Sequence, residues 1–364
     1  MKFIAYDLGT GGVKASLYDE NLKTLSRSFI EYETFYPKSH LHEQKPSDWW
    51  KGITESTHQL LKKTGTLNSE IKAVALSGHS CVAVPLDKNK NPLLSHVPIW
   101  SDTRAVKEAN DFFTRIDYND WYMTTGNGFP PSCYALFKLM WYQRHMPDLF
   151  RQINLVLGSK DYINFLLTGN TYTDHSYASS SGGYDLINKK FDHGFLEAAG
   201  IPEDIFPPIV SSHHQIGTVT KQAARETGLA QGTVVACGGV DNACMALGAV
   251  GPEAGSIYTS LGSSSWVPVN SAVPILDPVR KPYVFAHIQE NMFTSAFSIF
   301  AGGSSFRWIR ETLCRDLPAE NIYHRMASLA DKVPIGSHGL FLIPVLQAEL
   351  PRMKVSIYGV PFSI

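Results

Sequence analysis

Asp7 is the first residue of the chain whose surroundings suggest chemistry. It opens the run Asp-Leu-Gly-Thr-Gly-Gly, which lies between two apolar, strand-like segments. Glycines in such a turn allow positive φ and let a ligand approach the backbone amides, while the carboxylate can hold a metal ion or its water. The pattern therefore predicts a phosphate-binding turn at Gly9, Thr10, Gly11 and Gly12. An ordinary hairpin turn fits the same residues equally well.

Asp241 is the second carboxylate of interest. Residues 234–242 read Val-Val-Ala-Cys-Gly-Gly-Val-Asp-Asn, which predicts a buried strand, a Gly-Gly corner and an acid where a helix begins. The N-terminus of a helix favours the ionised form of a carboxylate, and the glycines let a substrate come close. Asp241 is therefore a general-base candidate. The alternative is a helix cap without catalytic function, which is a common role for aspartate.

Polar residues also follow the apolar run at residues 71–76, where the end of a strand in an open sheet commonly binds ligands. Further along, an indole and a carboxylate stand two residues apart and could offer a stacking face and a hydrogen-bond acceptor to a sugar. The carboxylate, Asp102, can equally cap a helix. The candidate sugar contacts of this region are His79, Ser80, Cys81, Trp100 and Asp102.

Positioning these side chains requires strands that end beside one another. Residues 3–6 and 13–18 are predicted as the two strands of a hairpin around the Asp7 turn. Residues 257–267 repeat the pattern, with Leu-Gly-Ser-Ser-Ser in place of Leu-Gly-Thr-Gly-Gly and Ser260 in place of Asp7. The second turn would then consist of Gly262, Ser263 and Ser264. A duplicated hairpin predicts a duplicated domain.

Further elements follow from helical and apolar spacing. We expect a helix capped by Ser47, a helix over residues 138–145, a helix that begins at residues 302–304 and a buried strand over residues 339–346. Asp161 and Asp174 are interpreted as helix caps or surface residues.

Composition restricts the class of partner. A chain of 364 residues that is 44% hydrophobic is long enough for two domains with apolar cores. A net charge of -1 without clustered Lys or Arg argues against nucleic acid or a membrane surface as partner, and no run is long enough to cross a bilayer. We expect a cytoplasmic protein with a small-molecule substrate. Its assembly state is left open, a homodimer included, and its five scattered cysteines are expected to be reduced.

The duplicated hairpin, together with Gly239-Val-Asp-Asn242 and the helix at residues 138–145, resembles the FGGY family of carbohydrate kinases. Within that family, residues 98–104 and 141–150 are most similar to the xylulose kinase branch. The resemblance implies an α/β chain of actin-like, ribonuclease H-like domains. It also implies ATP and Mg²⁺ as cofactors, and a sugar contact for Asn242.

One departure from the family bears on the substrate. Xylulose kinases usually show Gly-Gln-Met-His where this chain has Gly78-His-Ser-Cys81. The smaller side chains would leave more room and offer different hydrogen bonds. D-Xylulose, another ketose or polyol, and gluconate therefore all stay open as substrates.

The resemblance also implies a mechanism of in-line phosphoryl transfer. Asp241 would take the proton of the attacking sugar hydroxyl, and Asp7 would hold Mg²⁺ on the nucleotide phosphates through water. The turns at Thr10 and Ser263 would bind phosphate from opposite domains.

Family members normally extend well beyond Ile364. The resemblance therefore predicts a sugar-binding domain at residues 1–235 and an incomplete nucleotide-binding domain at residues 236–364, with Ala348 and Leu350 replacing a family Gly and Arg. One competing hypothesis is a catalytically impaired remnant that binds sugar but not nucleotide. Another is an actin-like ATPase or chaperone, which would not need the Trp100 and Asp102 pair.

Overall fold

The structure is a computed structural model that describes residues 1–261, 265–299, 303–318 and 320–340. The chain divides into two units, one of residues 1–256 with 269–295 and one of residues 257–268 with 296–364. Residues 236–256 thus group with the first unit, and the domain boundary after residue 235 stays a prediction.

In chain order, the strands are β1 (Lys2–Gly9), β2 (Gly12–Asp19), β3 (Thr24–Glu31), β4 (Phe35–Lys38), β5 (Leu41–Gln44), β6 (Ile71–Gly78), β7 (Val84–Leu86), β8 (Val97–Pro98), β9 (Leu155–Leu157), β10 (Thr173–Asp174), β11 (Tyr184–Asp185), β12 (Lys190–Phe191), β13 (Ile209–Val210), β14 (Gln215–Thr218), β15 (Val234–Ala236), β16 (Gly239–Val240), β17 (Ser260–Leu261), β18 (Ser265–Ser271), β19 (Tyr283–Ala286) and β20 (Phe293–Ile299). The α-helices are α1 (Pro46–Thr64), α2 (Val106–Phe112), α3 (Tyr118–Thr125), α4 (Ala135–His145), α5 (Pro147–Phe150), α6 (Ser159–Thr168), α7 (His175–Ala178), α8 (His193–Ala199), α9 (Lys221–Thr227), α10 (Asp241–Val250), α11 (Gly303–Thr312) and α12 (Ile322–Ala330).

The central sheet of the first unit is built on the alternation of side chains in its strands. In β1, Ile4, Tyr6 and Leu8 are buried on one face, while Asp7 points to the other. The strand order is β14-β15-β6-β1-β2-β3, with β16 also paired to β6. Because β1 and β16 both run parallel to β6, all three end at the same edge of the sheet. The first hairpin and the mixed α/β class predicted from the sequence are confirmed.

Helix α1 covers the sheet at β2 and β3 and buries Trp49, Ile53 and Leu60. The sequence predicted Ser47 as its N-cap, but the helix begins at Pro46, after Lys45, and has no side-chain cap. Proline suits this position because the first helical residues need no partner for a backbone N–H.

A second apolar core in the same unit consists largely of aromatic rings that meet edge to face, among them Phe112, Trp121, Tyr134 and Phe137. Helix α4, which was predicted from its spacing, runs through this core. The core supports the segments at residues 78–81 and 99–102 that the sequence assigned to sugar binding.

In the second unit, β17 and β18 pair Ser260 with Trp266 and Leu261 with Ser265, so the second hairpin is confirmed. Its predicted turn, Gly262 to Ser264, lies outside the described residues. The helix expected at residues 302–304 begins at Gly303, while residue 302 lies outside the described residues. Residues 341–346 of the last predicted strand, and Ala348 and Leu350, lie outside them as well.

No helix in the described ranges is both long and apolar enough to cross a membrane. The cysteines are free thiols, as predicted.

Candidate active site

The turn between β1 and β2 has its carbonyl oxygens bound to the protein. The Tyr32 hydroxyl donates to the Gly9 carbonyl, and Gln44 Nε2 donates to the Thr10 carbonyl at 2.7 Å. Gly12 has a φ of 155°, and a Cβ there would lie 2.4 Å from a carbonyl oxygen of β3, so glycine is required. With its carbonyls held on the protein side, the turn can present amides to an anion.

Asp7 stands beside this turn between two strands. Its partners in register are Lys14 on β2 and Ser77 on β6. Ser77 Oγ donates to Asp7 Oδ1 at 2.8 Å, and Lys14 Nζ lies 3.2 Å from Oδ2. The Lys14 side chain is largely exposed, so this ion pair is a surface contact that can open.

Asp241 is the first residue of α10, directly after β16, as the sequence predicted. The corner before it needs Gly238, whose φ is 70° and whose Cβ would lie 1.9 Å from the Leu76 carbonyl oxygen. The Asn242 amide donates to Asp241 Oδ1 at 2.8 Å. The carboxyl is therefore half-buried and fixed from its backbone side.

Burial is the main reason that the pKa of Asp241 is raised to about 7, and the negative charge of Asp7 adds to it. The Asn242 amide and the Lys14 ammonium act in the opposite direction, but more weakly. A carboxyl that titrates near neutral pH can both accept and release a proton, which is the property required of a general base.

Trp100 joins the candidate sugar region to the turn between β1 and β2. Its Nε1 donates to Thr10 Oγ1 at 2.9 Å, and the half-buried ring keeps part of its surface exposed. The indole is thus positioned by the turn that would hold phosphate.

Asp102 has protein partners for both of its oxygens, and its contact with sugar stays a prediction. It is fully buried, its oxygens accept from the Arg104 guanidinium at 2.7 and 2.9 Å, and the His42 amide donates to it at 2.7 Å. It does not cap a helix, since α2 begins only at Val106. The carboxylate instead holds together the loop that carries Trp100.

The His79 ring is 1% exposed and donates from Nδ1 to the Leu8 carbonyl, and its contact with sugar stays a prediction. Burial lowers the pKa of this imidazole to about 4, so the ring is neutral. Ser80 and Cys81 follow it with little exposed surface, and Cys81 has a φ of 60°. Their contact with sugar stays a prediction.

Lys138 holds the two candidate sugar segments in place. Its ammonium is fully buried and donates to the Cys81 carbonyl at 2.9 Å and to the Ile99 carbonyl at 2.6 Å. The sequence identified Lys138 only as part of a helix, because its spacing says nothing of which carbonyls the side chain reaches.

An aromatic pair next to the candidate base was missed by sequence reasoning. Asn242 Nδ2 donates to the Tyr283 hydroxyl at 3.4 Å, and the Tyr283 ring lies 4.0 Å from that of Phe129, centroid to centroid. Phe129 is more than 100 positions from Tyr283 in the chain, and Asn242 and Tyr283 are 41 apart, so no local pattern links them.

A cavity of about 520 Å³ opens on the Asp7 face of the sheet. Asp7, Lys14, Ser77, Gly239 and Cys244 are among the residues that line it. It lies entirely within the first unit and borders the strand ends that carry the two carboxylates.

Comparison with known proteins gives concordant matches. Residues 2–248 match the model of the FGGY family of carbohydrate kinases, N-terminal domain. A xylulose kinase of Bacillus subtilis (strain 168) is 29% identical over 361 residues, which cover 99% of this chain and 71% of that protein. An autoinducer-2 kinase of Yersinia enterocolitica is 28% identical, over 99% of this chain and 69% of its own length.

The crystal structure of xylulose kinase from Rhodospirillum rubrum superimposes with a TM-score of 0.86 at 28% identity, over 94% of this chain and 70% of that one. Sugar kinases of this kind have the actin-like ATPase fold, and the predicted fold class is thereby confirmed.

Proposed function

Because this chain belongs to the FGGY family of carbohydrate kinases, we propose that it transfers the γ-phosphoryl group of ATP to a hydroxyl of a neutral ketose or polyol, D-xylulose first among them. The observation that carries the proposal is Asp241, a carboxyl with a pKa of about 7 at the start of a helix and beside a second carboxylate.

In the proposed reaction, the sugar hydroxyl gives its proton to Asp241 while its oxygen bonds to the γ-phosphorus. The bond from that phosphorus to the β–γ bridging oxygen breaks, and ADP leaves with the electron pair. A positioned base of this kind contributes ~10² to 10⁴ in rate. The remaining acceleration comes from orientation and from neutralisation of phosphate charge.

Asp7 fits a Mg²⁺ ion held mainly by water and phosphate. Mg²⁺ keeps several waters and needs only one or two protein carboxylates, and the residues described here include no cluster of three His, Cys, Asp or Glu side chains around a common point. Asp7 Oδ2 is paired with the exposed Lys14, which can move aside. When bound, the ion would neutralise charge on the β- and γ-phosphates, whose oxygens the amides of the Gly9 to Gly12 turn would bind.

The charges beside the candidate sugar segments favour a neutral substrate over a sugar acid such as gluconate. The Lys138 ammonium is fully buried and donates to two backbone carbonyls. The Arg104 guanidinium is paired with Asp102 and Glu43. Neither cation is available to a substrate carboxylate, which would lose its hydration without gaining an ion pair. Trp100 and Asn242 would contact the neutral sugar, with Ser80 and Cys81 at the end of the pocket.

The test is ATP-dependent phosphorylation by the purified chain, with D-xylulose, other neutral ketoses and polyols, and gluconate as acceptors. We expect a neutral ketose to exceed gluconate by ~10² in kcat/KM, and Asp241→Asn to cut turnover by ~10² or more at little change in sugar affinity. Preference for gluconate would refute the neutral substrate. Undiminished turnover in Asp241→Asn would show that Asp241 is not the general base.

Calorimetry distinguishes a kinase from the alternative, a protein that binds sugar but not nucleotide. If the chain binds sugar but gives no heat with Mg-ATP and no ADP, it is not a kinase by itself and acts as a sugar-binding protein.

A further inference from the structure

Three charged side chains are buried together behind the candidate base. Lys160, Asp161 and Asp174 are each at most 1% exposed, so neither acid is the surface residue that the sequence allowed. The other expectation, a helix cap, is confirmed for Asp174, which is the N-cap of α7 and accepts from the backbone amides of Ser176 and Tyr177. Lys160 Nζ lies 2.5 Å from Asp161 Oδ1 and 3.0 Å from Asp174 Oδ1. Burial alone lowers the pKa of Lys160, but the two carboxylates outweigh it and the pKa lies well above its usual value. Removing three charges from water costs free energy, so stability alone does not account for this cluster.

Asp174 orients the hydroxyl of Ser176. Besides Lys160, it accepts from the hydroxyls of Ser176, at 2.5 Å, and Ser212, at 2.7 Å, both on Oδ2. A serine hydroxyl has one proton to donate, and that of Ser176 is directed at the carboxylate. The lone pairs of Ser176 Oγ therefore face away from Asp174 and are left to accept.

The group that Ser176 accepts from is the backbone amide of Val240, at 2.9 Å. Val240 directly precedes Asp241 and forms the N-cap position of α10. Gly239 makes this approach possible, because a Cβ at that position would lie 2.9 Å from Ser176 Oγ. The rest of the corner is held by backbone contacts, such as Gly238 N–H to the Ser212 carbonyl at 2.8 Å.

We propose that Asp174 and Ser176, anchored by Lys160, are positioning residues that fix the backbone of Val240 and thereby aim the Asp241 carboxylate at the acceptor hydroxyl. Hydrogen bonds to a hydroxyl that itself donates to a carboxylate are strengthened, which suits a contact that must hold one peptide still. The inference rests on the proposed role of Asp241 as base.

Ser176→Ala and Ser212→Ala form a matched pair. Each removes one hydrogen bond to Asp174 Oδ2, but only Ser176 also binds the Val240 amide. We expect Ser176→Ala to lower kcat by ~10-fold or more with the sugar KM within about twofold, since a small misplacement of a catalytic group can cost up to ~10². Ser212→Ala should keep kcat within about twofold. Equal kcat losses in the two variants, or none in Ser176→Ala, would overturn the proposal.

A second measurement covers the case in which Ser176→Ala does not fold. In the wild-type chain and in Ser212→Ala, the amide proton of ¹⁵N-labelled Val240 should exchange with solvent at least ~10-fold more slowly than an open amide. Exchange at the open rate would show that the bond does not form and refute the proposal. A failure of the hypothesis that Asp241 is the base can be told apart from this result, because the Asp241→Asn variant would then be active.

Discussion

The pH dependence of turnover tests the candidate base most directly. With a pKa of about 7, the Asp241 carboxyl of the folded chain is half ionised at neutral pH. One unit below that pKa about a tenth of it is ionised, and one unit above it about nine-tenths. If only the ionised form accepts the proton, kcat/KM for the sugar should rise about tenfold between about pH 6 and about pH 8 and then level off.

The assay is ADP release at saturating Mg-ATP, with the sugar varied at each pH. ATP titrates in the same range, so Asp241→Asn is the control. A rise in kcat/KM with pH (the limb of the profile) that is due to the nucleotide persists in the variant, whereas the limb due to Asp241 disappears. Lys14 provides a second check on the electrostatics, because its charge lowers the pKa of Asp241. Lys14→Met should therefore move the limb to higher pH. A flat wild-type profile, an unchanged limb in Asp241→Asn or a limb moved to lower pH in Lys14→Met would each refute the reasoning.

Three further predictions concern stability and positioning. The raised pKa of Asp241 means that the folded chain binds the proton more tightly than the unfolded chain, so wild-type stability falls as the pH rises from about 4 to about 7. Asp241→Asn lacks this loss, so its Tm should equal that of the wild type near pH about 4 and exceed it above pH about 7. A lower Tm for the variant at high pH would contradict this prediction. Trp100→Ala should raise the KM of the sugar more than that of ATP. Trp100→Phe keeps a ring but loses the hydrogen bond to Thr10, and it should retain most of the sugar affinity. Equal effects of Trp100→Ala on both KM values would show that the indole has only a structural role. Lys138→Met should lower the free energy of unfolding by about 2–3 kcal/mol in urea titration, because two buried carbonyls lose a charged donor, and an unchanged midpoint would show that neither bond contributes.

Local patterns predicted the parts of the site that depend on backbone geometry. Both hairpins, and the helix that begins at Asp241, follow from apolar alternation and glycine corners within about ten residues. Because each of these patterns lies within a short stretch of the chain, it can be recognised from the sequence alone.

Side-chain partners were harder to predict. Asp102 and Asp174 are typical of caps or surface positions by residue type, since charged residues are seldom fully buried. Arg104 is a local partner of Asp102, two residues further along the chain, but the His42 amide that also binds Asp102 and the Lys160 ammonium that pairs with Asp174 come from other segments. Tyr283 on β19 meets Asn242 on α10 only because the fold brings together segments that are 41 positions apart. No single-sequence pattern encodes these contacts.

The left-handed backbone of Cys81 limits how a changed substrate preference could be engineered or evolve. With a φ of 60°, this position disfavours most L-residues by roughly 1–2 kcal/mol and β-branched ones by more. Valine, isoleucine and threonine are therefore poor choices at residue 81, whereas glycine, asparagine and aspartate suit its backbone. Ser80 has no such restriction, so a library that varies Ser80 broadly and residue 81 narrowly would keep more of its members folded.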